Sequence, residues 1–191
     1  MRAAFLLRRS SPRGGEERLI AEARCLAVSV PAPVRLQVCV SLDGAHAYTY
    51  GWIEPAALNG DGACNMRLSP LTYWAGVSAG EEASYHYVVA TDVEPEWEEE
   101  FNRWYDLEHM PSLAAVPGTV SCARLRNLDE DGPRYHSCYD LTSAQALESR
   151  AWLAARNSLS STRVRPHFIN PRRIMFRTLL DERRPIHGVC F

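Results

Sequence analysis

The order of strand-like and helix-like patterns between residues 85 and 179 is the feature that most constrains the fold of this chain. A run of acids beside Pro95 opens the first helix, as suits the positive end of a helix dipole. The Val-Pro-Gly and Asp-Gly-Pro sequences at 116–118 and 131–133 break the chain on either side of the next strand. The predicted elements are a strand over 85–91, a helix from Pro95, strands over 119–128 and 134–141, a helix reaching about residue 156, and a strand over 168–179.

The first 80 residues show the same order in a weaker form. The helix predicted over 16–28 has one apolar face, and Asp43-Gly44 is a hairpin turn signal. Residues 55–70 have an irregular pattern that is rich in Gly and Asn, and a shortened helix there is the alternative that would supply the second helix of the unit. The predicted elements are a strand over 3–8, the helix over 16–28 with Leu19, Ile20, Ala23, Leu26 and Ala27 on one face, strands over 34–42 and 45–53, and a strand over 71–77.

Two successive β-α-β-β-α-β units predict the α+β class, because each unit is a ferredoxin-like arrangement with both helices on one face of an antiparallel sheet. The other faces of the two sheets must also be covered, so we expect the tandem units to form an α/β barrel that encloses a pocket. The predicted domains are a degenerate ferredoxin-like unit over 1–80, a second such unit over 81–180, and a tail over 181–191. In an alternative interpretation, the N-terminal segment only extends one ferredoxin-like domain that dimerises.

The basic residues exclude several kinds of chemistry, because all 21 are arginine and the chain contains no lysine. Mechanisms that need an amine nucleophile, a Schiff base or a phosphate-loop lysine are therefore ruled out. A net charge of −2 provides no general attraction for nucleic acid, although residues 163–184 hold seven arginines against two acids. We expect these arginines to reach carboxylates or solvent, and we expect no nucleic-acid partner.

The remaining composition indicates a cytoplasmic protein without a membrane partner. No apolar run approaches the roughly 20 residues of a membrane span, and the N-terminus lacks a signal-peptide core. The six cysteines lie far apart without a C-x-x-C pair, so we expect free thiols rather than disulfides or a structural zinc site.

The stretch over 97–111 carries the strongest functional signal. On a helix, its aromatic residues form one continuous face that ends in Glu108 and His109. We expect Met110-Pro111 to stop the helix and so to place His109 at its C-terminal end, where the dipole favours a protonated ring. A buried histidine beside a carboxylate is a candidate general base, whereas an alternative interpretation makes His109 a helix cap. The face consists of Trp97, Phe101, Trp104, Tyr105, Glu108 and His109, with Asp106 about 100° away.

The strand predicted over 134–141 has polar groups on both faces, which predicts a wet cavity against one of them. One face carries His136, Cys138 and Asp140, and the other carries Tyr135, Ser137 and Tyr139. For His86 and Tyr87 on the preceding strand, core packing is the favoured interpretation. The candidate catalytic residues are His109, Glu108, Tyr105, Asp106 and His136, and the candidate substrate-binding residues are Tyr139, Trp104, His86, Tyr87 and Arg124.

Metal-site and cofactor motifs are absent from the sequence or incomplete, so they do not indicate a different kind of catalysis. Glu108, His109 and His136 lack the spacing of known metal sites, so no metal is expected. Residues 76–80 match the G-x-S-x-G pattern of serine hydrolases, but no helix follows the serine, so we interpret them as a flexible linker. No dinucleotide or phosphate-binding loop occurs, and no cofactor is expected.

The run over 104–111, followed by the Val-Pro-Gly turn, resembles the dimeric α/β-barrel superfamily, and most closely its EthD-like proteins, which carry a similar W-Y-x-x-E-H-x-P run. The resemblance extends over residues 85–179, and Tyr105, Glu108 and His109 match the motif. It implies a ferredoxin-like unit whose sheet pairs with another, in a homodimer or within one chain, around a cavity for a small molecule. The superfamily includes cyclases, isomerases, cofactor-free monooxygenases, haem enzymes and proteins without known catalysis, so the fold does not select a reaction. Since no histidine is marked as a proximal ligand, haem is not expected.

We consider three functions. A cofactor-independent cyclase, isomerase or lyase would abstract a proton next to a carbonyl of a small apolar, aromatic or polyketide-like substrate. A cofactor-free monooxygenase would use the same pocket and consume dioxygen. A non-catalytic binding or assembly protein would fill the pocket with side chains, so a polar-lined cavity above a few hundred Å³ would count against it. In the first function His109 is the base, Glu108 or Asp106 orients it, Tyr105 or Tyr139 donates to the enolate, and His136 is a second acid or base.

Overall fold

The computed structural model describes residues 3–10, 15–29, 35–53 and 66–183, and it confirms the α+β class. Of the irregular segment predicted over 55–70, residues 55–65 lie outside the described residues. The elements are β1 (Ala3–Ser10), α1 (Glu16–Ser29), β2 (Arg35–Ser41), β3 (His46–Ile53), β4 (Met66–Ala75), β5 (Tyr85–Val93), α2 (Glu98–Trp104), α3 (Met110–Ala114), β6 (Thr119–Asn127), β7 (Tyr135–Leu141), α4 (Arg150–Arg156), α5 (Leu159–Val164) and β8 (Phe168–Arg183).

The chain divides into two compact units. The first comprises Met1–Pro70, Asn127–Asp131 and Phe176–Phe191, and the second comprises Leu71–Arg126 and Gly132–Met175. Strands β4 and β8 therefore contribute residues to both units. The tandem arrangement and the domain boundaries at residues 80 and 180 stay predictions.

The sheet of the first unit is antiparallel. Strand β3 pairs with β1 along its whole length and with β2 on its other side, at Val38 and Thr49 for example. Asp43 stabilises the predicted hairpin turn between β2 and β3, because its carboxylate accepts hydrogen bonds from the Ser41 hydroxyl and the Ala45 backbone N–H. The described apolar face of α1 packs on this sheet as Leu19, Ala23 and Ala27 against Leu36, Val38 and Ala47.

The sheet of the second unit positions the candidate site. Its central strand β7 pairs antiparallel with β5 and β6, with partners that include His86 and Asp140, Tyr87 and Tyr139, and Arg124 and Ser137. Because side chains alternate along a strand, the Tyr87 and Tyr139 side chains share one face and those of His86 and Asp140 share the other. The helices of this unit pack on the tyrosine face, where Phe101, Trp104, Leu113 and Trp152 join one buried cluster.

The segment over 76–80 is fixed to the first residues of β6 and to Gly118 just before that strand. The backbone N–H of Gly76 donates to Val120, and the N–H of Ser78 donates to Thr119, while the Ser78 hydroxyl accepts from the Gly118 N–H. A Cβ at position 76 would lie 1.9 Å from the Thr119 carbonyl oxygen, so only glycine allows this approach. These contacts hold the segment in place, in contrast to the flexible linker that we predicted there because no helix follows the serine.

Candidate active site

A small cavity lies in the second unit between the tyrosine face of the sheet and the helices that cover it. Its volume is about 40 Å³, which is room for about three water molecules. This is well below the few hundred Å³ expected of a small-molecule pocket, so the volume does not count against the non-catalytic alternative. The lining residues are Tyr87, Val89, Trp104, Tyr105, His109, Leu113, Tyr139, Trp152, Arg156, Arg165, Phe168 and Arg173.

The helix that carries His109 does not stop at Met110-Pro111, so that prediction is wrong. Residues Tyr105–His109 form a turn of π-helix, in which the Met110 N–H donates to the Tyr105 carbonyl oxygen, and the chain continues as α3 to Ala114. Proline has no N–H for the carbonyl four residues earlier, and its ring clashes with that carbonyl in an α-helix. A wider turn before Pro111 relieves this clash, so the helix accommodates the proline instead of ending there.

The wide turn changes which side chains face the core. Tyr105 and His109 are buried, whereas Glu108 is half-buried and its carboxylate accepts a hydrogen bond of 2.6 Å from the Ser158 hydroxyl. Bonds from Ser158 and Ser160 lower the pKa of the Glu108 carboxyl below its usual value. Within the described part of the chain, no hydrogen bond or ion pair joins Glu108 to His109.

The His109 ring is held by aromatic neighbours rather than by a carboxylate. It stacks on Trp104 at a centroid distance of 4.3 Å and meets Tyr105 edge-on at 5.2 Å, and the residue is 7% exposed. Its Nδ1 atom is buried and has no hydrogen-bond partner among the described residues. Burial, and then the positive charge of Arg165, lower the pKa of His109 from 6.5 to about 3. The expectation of a protonated ring is therefore wrong, because the imidazole lies in the middle of a helix and in an apolar site.

The tyrosines beside His109 are neutral hydroxyl donors. Burial is the main cause that raises the pKa values of Tyr105, Tyr139 and Tyr87 above the usual value of 10. The Tyr139 ring lies 5.9 Å from that of Tyr87 and 5.3 Å from that of Trp152, so these three rings form one wall of the cavity.

Arg124, which is buried, forms an ion pair with the half-buried Asp106 next to Tyr105, outside the cavity lining. The guanidinium donates to Asp106 at 2.6 Å and to the Asn102 side-chain oxygen at 2.6 Å. It also lies over the Tyr105 ring at 4.6 Å, which is a favourable cation–π distance. The side chain of Asp106 is thus directed to Arg124 and not to His109.

The structure does not bring His136 and His86 to the cavity. Both belong to the opposite face of the β5–β7 sheet, where the His86 Nδ1 atom lies 2.7 Å from the Asp140 carboxylate. That carboxylate also accepts a hydrogen bond from Ser121, and the His136 Nε2 atom lies 3.2 Å from the Pro133 carbonyl oxygen. Of the predicted site residues, the cavity brings together His109, Tyr105, Trp104, Tyr87 and Tyr139.

Sequence reasoning did not place three arginines at this cavity. Arg156 ends α4, Arg165 follows α5, and Arg173 lies on β8. Two of them belong to the arginine-rich segment over 163–184, whose side chains are predicted to reach carboxylates or solvent. The excess of arginine over acid in that segment was the available signal, because it leaves some cations without a partner nearby in sequence.

No group of three or more His, Cys, Asp or Glu side chains within the described residues could hold a metal ion. In the same part of the chain, no helix has the length and apolar character to cross a membrane.

Comparison with known proteins identifies the fold. No protein-family model and no curated protein sequence matches the chain. A solved anthrone oxidase-like protein is 16% identical, with a TM-score of 0.64 over 95% of this chain and 93% of that one. A ferredoxin-fold protein of Listeria monocytogenes related to antibiotic biosynthesis monooxygenases is 10% identical, with a TM-score of 0.60 over 93% and 94% of the two chains. A monooxygenase-like protein of Listeria innocua is 9% identical, with a TM-score of 0.62 over 93% of each chain.

These neighbours are ferredoxin-like proteins of the antibiotic-biosynthesis-monooxygenase type. At such identities the likeness concerns the fold alone, and the fold hosts many reactions.

Proposed function

We propose that this protein is a cofactor-independent enzyme that removes a proton from a small aromatic carbonyl compound, with His109 as the base. The observation that carries the proposal is the neutral, buried imidazole of His109, whose Nδ1 atom has no described partner and which lines an aromatic cavity. The imidazole is unprotonated at neutral pH, so it is available to accept a proton from a substrate carbon, and a bound anion that raises its pKa makes it a stronger base. The EthD-like assignment is part of the same proposal.

Burial and the nearby charges together determine when His109 can act as a base. With its pKa near 3, the free enzyme protonates the ring only at considerable cost. An enolate formed beside the ring would offset the positive field of Arg165 and so raise the proton affinity of His109. Tyr105 and Tyr139 supply neutral O–H groups that can donate to the enolate oxygen.

The aromatic walls indicate the kind of substrate. Trp104, Tyr87, Tyr139, Trp152 and Phe168 offer flat apolar faces on which a ring can stack. An aromatic ring exceeds a volume of about 40 Å³, so its entry requires side chains to move. Arg156 and Arg173 are exposed, and we propose that they move when the ring binds.

Two fates of the enolate lead to different reaction classes. Return of the proton at another position gives an isomerase step, attack on a second carbonyl gives a cyclase step, and expulsion of a leaving group from the carbon next to the carbanion gives a lyase step. Reaction of the carbanion with dioxygen gives a cofactor-free monooxygenase, and this second candidate is favoured by neighbours that are named anthrone oxidase-like and monooxygenase-like.

Anthrone is a suitable probe, because loss of a methylene proton places the negative charge on its carbonyl oxygen through the rings. Its oxygenation consumes one dioxygen and gives one anthraquinone and one water. Exchange of the methylene protons in D₂O without oxygen measures proton abstraction, and an oxygen electrode measures oxygenation. We expect His109→Gln to slow exchange by about a hundredfold or more.

His167→Gln is the matched control, since His167 stacks on Trp97 outside the cavity. Exchange at the wild-type rate in folded His109→Gln would overturn the proposal. Saturable binding without exchange or oxygen uptake, for anthrone and related aromatic ketones, would support the non-catalytic alternative instead.

A further inference from the structure

Three arginines of the second unit meet at the cavity that contains His109. Arg165 is half-buried, whereas Arg156 and Arg173 are exposed. They come from three separate elements, so their convergence is a product of the tertiary fold and not of a local run of basic residues.

These arginines have no described counterion. Elsewhere in the same unit, Arg103, Arg124, Arg134 and Arg163 each pair with a carboxylate. Within the described residues, no ion pair or side-chain hydrogen bond involves the guanidinium groups of the three arginines at the cavity.

The three charges act on one another and on the cavity. Burial, and after it the charges of Arg156 and Arg173, lower the pKa of Arg165. All three also favour the ionised form of Tyr87. A cluster of like charges at the edge of an apolar site is stabilised when an anion binds among them.

We infer that this cluster recognises the carboxylate of an aromatic acid whose ring stacks on the aromatic walls of the cavity. The inference deepens the proposed function, on which it rests, by naming the charged group of the substrate. A planar carboxylate matches the donor fork of a guanidinium, and no described carboxylate competes with it for these three arginines. The aromatic part of the ligand is required as well, since the cluster borders the aromatic rings that line the cavity.

Benzoate and benzamide are matched probes, because they have nearly the same shape and differ in charge. Their binding can be followed through the fluorescence of Trp104 and Trp152, which line the cavity, and checked by calorimetry. We expect benzoate to bind at least tenfold more tightly than benzamide, with an affinity that falls as salt is added.

Two arginine variants test whether benzoate binds at the three-arginine cluster or is attracted by the general positive charge of the surface. We expect Arg165→Gln to reduce benzoate affinity by about tenfold or more, with little effect on benzamide. Arg172→Gln is the control, since Arg172 is an exposed arginine on the same strand as Arg173 and does not line the cavity. Circular dichroism establishes that each variant is folded.

Several outcomes would overturn the inference. These are equal binding of benzoate and benzamide, an equal loss in Arg172→Gln and Arg165→Gln, and inorganic phosphate or sulfate that binds as tightly as benzoate. The binding test is independent of turnover. Arginine-dependent benzoate binding without proton exchange supports the inference and contradicts the proposed function, whereas exchange without a preference for benzoate does the reverse.

Discussion

The imidazole of His109 lies stacked on the indole of Trp104, with ring centroids 4.3 Å apart and an angle of 26° between the ring planes. The indole covers one face of the imidazole and keeps water from it, and desolvation is the main cause of the low pKa of His109. The stability and the chemistry of the site therefore both depend on this contact.

Acid should destabilise the protein through His109. Its pKa is lowered from 6.5 to about 3 on folding, so between these values the unfolded chain binds a proton that the folded chain does not. The contribution is fully present above pH 6.5 and is lost as the pH falls below it, by about 2 kcal/mol between pH 7 and pH 5. Urea unfolding at both pH values, for wild type and His109→Gln, measures the difference. An equal loss of stability in both proteins would contradict the prediction.

Removal of the indole should hydrate His109. We expect Trp104→Ala to raise the pKa of His109 from about 3 towards 6.5 by roughly one unit or more, because the ring gains contact with water. Trp104→Phe keeps an aromatic face and should leave the pKa low. A proton NMR titration of the His109 ring measures both, and an unchanged pKa in folded Trp104→Ala would show that the indole does not cause the shift.

The loss of stability on breaking the Asp106–Arg124 pair should depend on which partner is removed. The Arg124 side chain is 1% exposed and that of Asp106 is 35% exposed. Asp106→Asn leaves a buried cation without its carboxylate, which should cost roughly 2 kcal/mol, whereas Arg124→Met leaves a carboxylate that water can reach and should cost about 1 kcal/mol. Urea unfolding gives the two values. A larger cost for Arg124→Met would mean that the contact of the guanidinium with the Tyr105 ring matters more than charge.

Gly76 should tolerate no side chain. A Cβ there would lie 1.9 Å from the Thr119 carbonyl oxygen, so Gly76→Ala must displace backbone and break the bond to Val120, at a cost of about 3 kcal/mol. The comparison is Gly80→Ala, where φ is +98° but no atom lies within 4 Å of the added Cβ. This variant should cost only about 1 kcal/mol. Similar melting temperatures for the two variants would show that the close approach at Gly76 relaxes easily.

The order of elements was predictable because strand and helix periodicities are local properties of the sequence. The placement of the His136 and Tyr139 side chains on opposite faces of their strand was predictable for the same reason. Which face the helices cover depends on tertiary packing, and this is why His136 was grouped with His109 although the sheet separates them. The arginines at 156, 165 and 173 could not be grouped from sequence, since three different elements bring them together.

The π-helical turn over Tyr105–His109 also affects how this helix can be compared with others. It holds one residue more than an α-helical turn, so the side chains before Tyr105 and those after His109 follow two registers that differ by one position. An ungapped alignment of α3 with a regular helix would therefore assign Met110–Ala114 to the wrong faces. A chimeric protein that imports this helix needs both registers, joined at the same turn, for its core residues to face inwards.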